Sequence, residues 1–254
     1  MQPGVYRQYI QIQDRHWWFI SCRELVVFLL NFYLHGKQGR GLDVGCGTGA
    51  SLDMLKPFCT EIVGMDASRL ALDLASEYRP ESLLIQADAM RIATLFRPQS
   101  FRLVTFFNVL YHEWVRDEGE VLRQALTVLE PGGIMVLMEP AFRILMRRHD
   151  RQDMGKTRYR LGFFVDQLRY LDFEILVGTY FNWICFFPAL LQAGCDRLVK
   201  RPYQEQDPIN ELKIPPVFFN QILMAWMKLE RRAIRIFSRL PWGVSVLMIA
   251  RKRA

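Results

Sequence analysis

Residues Gly41 to Ala50 read Gly-Leu-Asp-Val-Gly-Cys-Gly-Thr-Gly-Ala. A short apolar strand carries an acid, Asp43, and then breaks into three glycines at alternate positions, Gly45, Gly47 and Gly49. Glycine takes positive φ freely and lets backbone approach a ligand with no side chain in between. A helix pattern runs from Ser51 through Leu55, so the turn is expected to present bare backbone and a helix N-terminus to a bound molecule. A phosphate-binding loop would close on Gly-Lys-Ser/Thr, and this one closes on Gly49-Ala50-Ser51. A dinucleotide loop spaces its glycines G-x-G-x-x-G, and here the spacing is G-x-G-x-G.

Four downstream marks follow at strand–helix spacing. Thr60 to Met65 reads as a buried strand ending on Asp66, an acid placed to accept hydrogen bonds from ribose hydroxyls. Ser82 to Gln86 reads as a strand followed by Ala87-Asp88-Ala89. Phe101 to Phe107 reads as a strand followed by Asn108-Val109-Leu110-Tyr111-His112-Glu113. Leu129-Glu130-Pro131-Gly132-Gly133 reads as a turn ahead of a strand from Ile134 to Met138. Singly, each mark has a local reading: Asp66 or Asp88 as a helix cap, Ser68 as an alternative cap, Asp43 as a brace for the turn, and Pro131-Gly132-Gly133 as an ordinary turn.

Together they resemble the class I methyltransferases that use S-adenosyl-L-methionine. The resemblance implies an α/β fold: a seven-stranded Rossmann-like sheet with helices on both faces, its last strand antiparallel between the fifth and sixth. It implies cofactor contacts at Asp43, Gly45, Cys46, Gly47 and Gly49 in the turn, at Met65, Asp66 and Ala67 for the ribose, at Asp88 and Ala89 for the adenine, and at Asn108 beside the methionine part. Cys46 also reads as a small space-filler within the turn.

A second, closer resemblance covers the N-terminal segment. His16-Trp17-Trp18-Phe19 with Arg23 resembles the entry segment of a bacterial methyltransferase subgroup whose members often accompany genes for polysaccharide, glycolipid or natural-product synthesis. It extends weakly to Arg158-Tyr159, Tyr180-Phe181-Asn182 and Leu240-Pro241-Trp242-Gly243. The chain departs from the subgroup where Lys156 follows Gly155, where Cys22 precedes Arg23, at Asn108, and at Tyr111-His112. These departures fall mostly on the acceptor side.

Composition sets further bounds. A chain of 254 residues, 51% of them apolar, suits one α/β domain with an appendage. It contains no run of about 20 apolar residues to span a bilayer and no charged-then-apolar export signal at its start. Its five scattered cysteines lack a C-x-x-C pair, which fits reduced thiols in a cytoplasmic protein. The net charge of +7 divides unevenly: +3 over residues 1–40, −6 over 41–140 and +10 over 141–254. A basic face beside an active site suits an anionic acceptor, an anionic membrane surface or nucleic acid; a solvated basic helix face accounts for it equally well.

Three parts are expected. Residues 1–38 form an N-terminal helical lid segment. Residues 39–180 and 243–254 form the cofactor-binding Rossmann-like domain, closing with a strand from Gly243 to Ala250 and with Arg251-Lys252-Arg253 in solvent. Residues 181–242 form a helical insertion between strands six and seven, serving the acceptor side, an interface or membrane contact. The insertion has an apolar start at Asn182–Leu191, a polar loop from Arg201 to Pro208, and an amphipathic helix from Val217 to Leu240 with Phe218, Ile222, Ala225, Trp226, Leu229, Ala233 and Ile236 as its apolar stripe. Such a basic helix can dock on its own domain, pair in a homodimer, or lie on the inner face of the membrane.

For the chemistry, Trp17, Trp18, Phe19 and Tyr111 are candidates for a wall near the sulfonium cation, and Arg23 for a partner of the cofactor carboxylate. His112 is the first candidate base for a hydroxyl acceptor, with Tyr111 beside it; His149 next to Asp150 is the second. His16 and His35 read as peripheral, and no metal cluster is evident. The Asn/Asp-Pro-Pro-Tyr motif of base-amine methylation is missing and no Pro-Cys nucleophile appears, which argues against nucleic acid and for a small-molecule, sugar or lipid-linked acceptor. The competing readings are a cofactor-binding protein without catalysis, acting as a membrane or partner module, and an NAD-dependent oxidoreductase.

Overall fold

The computed structural model describes residues 3–198 and 213–253. Ten helices are assigned among them: α1 (Pro3–Ile12), α2 (Trp17–Leu30), α3 (Leu52–Leu55), α4 (Arg69–Tyr78), α5 (Ile92–Leu95), α6 (Glu118–Val128), α7 (Arg148–Gln152), α8 (Leu161–Tyr170), α9 (Phe186–Leu198) and α10 (Val217–Phe237). Seven strands alternate with them: β1 (Arg40–Val44), β2 (Glu61–Asp66), β3 (Leu83–Gln86), β4 (Phe101–Phe107), β5 (Leu129–Pro140), β6 (Phe173–Phe181) and β7 (Ser245–Lys252). They form one sheet in the order β3-β2-β1-β4-β5-β7-β6. The first five strands run parallel, and β7 is antiparallel to both neighbours, β5 and β6.

Both faces of the central strands are buried, as a parallel sheet requires, and alternate side chains serve two cores. Val104, Phe106, Met135, Leu137, Val246 and Met248 point to one face, where α6 and α8 supply Val121, Leu122, Phe164 and Leu168. Leu103, Ile134, Val136, Leu247 and Ile249 point to the other, where α2 and α10 supply Leu25, Val26, Leu29, Met227 and Ile234. The N-terminal segment, expected as a lid, therefore does two things. The second half of α2 is sheet-covering core, and only α1 and the first turns of α2 are left to cap a site.

The short helix expected after the glycine turn is present as α3, with the Ser51 hydroxyl before it donating to Asp43. Three local expectations change. Pro131-Gly132-Gly133 lies inside β5: Phe101 pairs with Leu129 and Leu103 with Ile134, so the extra residues are absorbed as an irregularity with Gly132 at φ +75°. Lys252 does not end in solvent; it sits in β7, and its ammonium donates to the carbonyls of Leu126 (2.9 Å) and Leu129 (2.7 Å), the carbonyl end of α6.

The third change concerns α10. Of the stripe read from the sequence, Phe218 is 68%, Leu229 56% and Ile236 72% exposed, and Ile222 is exposed too. The buried positions are Met227, Glu230 and Ile234. Glu230 is the reason: its carboxylate accepts the backbone N–H groups of Asn182 and Trp183 after β6, so the face that carries it must turn inward. The expected loop from Arg201 to Pro208 lies outside the described residues.

Candidate functional site

The strand order reverses between β1 and β4, and in open α/β sheets ligands bind outside the carboxyl ends of the strands at such a switch point. A cavity of about 650 Å³ opens there, within the size range of small-molecule sites. The glycine turn forms its floor. The amides of Gly45 and Cys46 donate to the Met65 carbonyl at 2.6 and 3.0 Å, which folds the turn back onto the end of β2. Gly45 has φ +71°, and a Cβ there would meet Val109 at 2.5 Å; Gly47 has φ +54° with open space where its Cβ would stand. Close packing demands the first glycine, and the second leaves bare backbone facing the cavity.

Two acids hold the turn. Asp66, at the end of β2, accepts Gly47 N–H at one carboxylate oxygen and Ser68 N–H at the other, both at 2.8 Å, and lines the cavity. Burial pushes its pKa up, opposed by those amides. Each carboxylate oxygen keeps a further lone pair, so hydroxyl donors can still be accepted. Asp43 lies beneath the turn, not in the cavity wall. Its oxygens take the Thr105 hydroxyl at 2.6 Å and the Ser51 hydroxyl, and burial raises its pKa to about 6. It braces the turn.

The sequence candidates thus divide. Gly45, Cys46, Gly47, Asp66, Asn108, Tyr111, His112, Trp18 and Arg23 line the cavity, as do Trp17 and Phe19. Gly49 (φ +80°) packs toward Arg79, Leu52 and Ala75 instead. The Met65 side chain is in the sheet core. Ala67 is exposed, and its carbonyl accepts Gln86. Asp88 is exposed and caps the short 3-10 helix beginning at Ala89, accepting Met90 N–H at 2.8 Å. Arg23 sits on the cavity wall but pairs with Asp14 at 3.1 Å. The side chain of His149 lies outside the described residues.

Several lining residues escaped the sequence reading. His16 is no bystander: buried at the α1–α2 junction, it caps α2 by accepting Trp18 N–H at 3.2 Å, and it lines the cavity. Gln13 lies beside it and accepts the Thr48 hydroxyl at 2.8 Å, joining the cap to the glycine turn. Asn220 of α10 accepts Trp17 N–H at 2.9 Å and donates to the Arg15 carbonyl at 3.1 Å, pinning the same junction from the other side. Trp18 stacks on Phe181 with the rings 5.8 Å apart.

Beyond β4 the chain turns through Asn108, at φ +56°. The fully buried Glu139 on β5 accepts the amides of Val109 (3.0 Å), Leu110 (2.9 Å) and Tyr111 (3.3 Å), and burial raises it to about 8 despite those donors. It was readable: an acid ending the apolar strand Ile134 to Met138 is the same signal as Asp66. Tyr159 completes the support, donating to the Leu110 carbonyl at 2.7 Å with Glu118 at 2.8 Å.

The segment so held presents Tyr111 and His112, their rings 4.2 Å apart, with Trp114 stacked 5.1 Å beyond His112. Burial pushes His112 down to about 4, and its Nδ1 has no hydrogen-bond partner. Its imidazole is neutral near pH 7 and weakly basic. Asp153 stands across the same cavity. Burial, and secondarily the neighbouring Asp150, raise it to about 7, while the Tyr9 hydroxyl lies 3.4 Å from its Oδ2. Among the described residues there is no cluster of three or more His, Cys, Asp or Glu side chains suited to a metal ion.

Residues 42–137 match the family model described as "Methyltransferase domain". The chain is similar to the ubiquinone biosynthesis O-methyltransferases of Albidiferax ferrireducens (32% identity; 36% of this chain and 37% of the relative) and Ralstonia nicotianae (30%; 52% and 58%). It is also similar to the trans-aconitate 2-methyltransferase of Rhodopseudomonas palustris (30%; 40% and 39%). The chain thus covers between 37% and 58% of the length of these curated relatives. Among solved structures, phosphoethanolamine N-methyltransferase 2 of Haemonchus contortus in complex with S-adenosyl-L-methionine superposes with a TM-score of 0.58 (18% identity; 91% of this chain, 52% of that one). The [4+2]-cyclase SpnF superposes at 0.57 (20%; 90% and 81%). The methyltransferase-domain match runs from β1 into β5, and with the antiparallel strand between β5 and β6 the chain carries a methyltransferase domain on the fold of the class I S-adenosyl-L-methionine-dependent methyltransferases.

Proposed function

We propose that this chain transfers a methyl group from S-adenosyl-L-methionine to an oxygen or nitrogen of a small-molecule, sugar or lipid-linked acceptor held in the cavity at the switch point. The observation that carries the reading is the pairing of open backbone at Gly47 with the Asp66 carboxylate, both facing one cavity at the end of β1 and β2. That cradle fits the cofactor: a side chain at Gly47 would intrude, and Asp66 is an acceptor where sugar hydroxyls need one. When bound, the cofactor supplies a methyl group already activated on a sulfonium centre.

The chain's own contribution is positioning, exclusion of water and management of a proton. Aromatic side chains from α2 (Trp17, Trp18, Phe19) and Tyr111 wall the cavity, a surface suited to a cation and poor for water. Tyr111 owes its placement to Glu139, which fixes its amide. For a hydroxyl acceptor the proton goes to Asp153 in preference to His112. The ideal base has a pKa near working pH; Asp153 sits at about 7 and His112 at about 4. Tyr9, bonded to Asp153 from the cap, orients it.

The test has two parts. Calorimetry should show S-adenosyl-L-methionine binding and no comparable binding of NAD. Incubation with an acceptor panel of phenols, carboxylates, amines and quinol-like lipids should then release S-adenosylhomocysteine. Cofactor binding without release across the panel would leave a non-transferring use of the fold, for which the cyclase neighbour is a precedent. No cofactor binding would overturn the reading altogether.

A further inference from the structure

The exposed half of α10 is itself divided. At 3.6 residues per turn, Phe218, Ile222, Ala225, Leu229 and Ile236 fall within an arc of about 60°. Lys228 and Arg232 project along the adjoining arc, and all seven residues are exposed. The only acid in the helix, Glu230, is buried and committed to the amides of Asn182 and Trp183. Monomeric proteins rarely leave a contiguous apolar strip of this kind to water.

The neighbouring helix extends the same character. Phe187, Leu191 and Leu198 of α9 are 60%, 71% and 83% exposed. The two helices of the insertion are joined where Trp183, just before α9, meets Trp226 of α10, ring centroids 5.4 Å apart. The other side of α9 lines the cavity through Pro188, Ala189 and Gln192, with Cys185 in the turn just before the helix. One helix therefore separates the cavity from an exposed apolar surface.

We infer that the outer faces of α9 and α10 form a docking surface for an anionic membrane, with the helices lying in the interface. Charge selects this occupant. A strip of cations beside an apolar strip matches an interfacial helix, whose apolar side chains enter the acyl boundary while Lys and Arg reach back to anionic headgroups. A two-fold dimer through α10 would bring like-charged strips together with no acid on the exposed helix face to pair them, and the cores of protein interfaces are depleted in charge. No helix among the described residues is long and apolar enough to cross a bilayer, so the helices lie on the membrane. Docking there sets the cavity wall beside the lipid, and an acceptor carried on a lipid reaches the cavity along α9. That last consequence rests on the methyl-transfer reading; the docking itself does not.

Flotation of the full chain with vesicles tests docking without cofactor or acceptor. The chain should float with mixed phosphatidylcholine–phosphatidylglycerol vesicles, less so at high salt, and remain behind with phosphatidylcholine alone. Lys228→Glu with Arg232→Glu should lower the partition coefficient at least about tenfold. Phe218→Ser with Leu229→Ser should abolish flotation while leaving cofactor binding and melting temperature at wild-type values. Failure of the wild-type chain to float with anionic vesicles would overturn the inference, whatever the outcome with methyl acceptors. So would light scattering that shows a dimer dissolved by the Phe218 and Leu229 substitutions, which would assign the face to a second copy.

Discussion

The glycine-turn wall and the helical insertion solve the same problem with opposite results at the surface. In the wall, acids at strand ends take up orphan donors of turns beside them: Asp66 for Gly47 and Ser68, Glu139 for Val109, Leu110 and Tyr111. Apolar alternation along the strands then matches burial position by position. In the insertion, Glu230 performs the same service for Asn182 and Trp183, but satisfying it turns the helix so that its richest apolar stripe faces out. Helical periodicity reveals that a face exists, and a buried acid with backbone partners decides which face goes inside.

The strongest challenge to that comparison is to remove the acids. Glu139→Ala strands three buried N–H donors and should cost about 3–6 kcal/mol in urea unfolding, while Glu230→Ala, with two, should cost about 2–4 kcal/mol; the reverse order would break the parallel. Protonation sharpens it. Glu139 titrates at about 8 when folded and about 4.3 when unfolded, so the folded chain holds this proton more tightly. The stability it contributes is whole below about 4.3 and is lost as pH rises through about 8. Glu139→Gln should flatten the decline in stability through pH 8 seen in the wild type.

The next effect concerns turnover. Asp153→Asn should lower kcat/KM about 100-fold for a hydroxyl acceptor and erase the rise of rate with pH through about 7, since only the ionised carboxyl accepts the proton. A wild-type pH profile in that variant would return the role to His112. In the wall itself, Asp66→Ala should weaken cofactor binding by about 1–3 kcal/mol in calorimetry. At the seam between the two regions, Asn220→Ala should cost about 1 kcal/mol and speed hydrogen exchange at the Trp17 amide.

The smallest effect is the most direct check on the insertion. Leu229→Ala should shift stability by no more than about 0.5 kcal/mol, whereas Met227→Ala, two residues earlier and buried, should cost about 2–4 kcal/mol. Equal costs would mean that α10 packs with its apolar stripe inward after all.

The sheet was legible almost strand by strand, because each parallel strand holds a short apolar run with Gly, Asp, Asn or Glu at or just past its end, and such runs have few other uses. The glycine turn, Asp66 and the aromatic entry residues could be picked out as well, and the fold brings them to one cavity. What escaped needed tertiary knowledge. The oxygens of Asp43 go to Ser51 and Thr105, and only the fold brings Thr105 there. Asp88 reads the same as a cap or as a ligand contact. Asp153 follows no strand and carries no motif; it stands out only in space, where burial and Tyr9 converge on it. His16 looked remote because its neighbour in space, the glycine turn, lies some thirty residues away along the chain.

The placement of β7 bears on how the molecule comes into being. The seventh strand lies between β5 and β6 and pairs with both along most of their lengths. Until it is synthesised, β6 has no sheet neighbour and a gap stands where the centre of that half-sheet should be. A nascent chain can assemble the cofactor floor before β7 is made, but its two halves are stitched together only once that strand is in place. A loss of a few residues from that strand therefore acts on the middle of the protein, as though a keystone had been withheld.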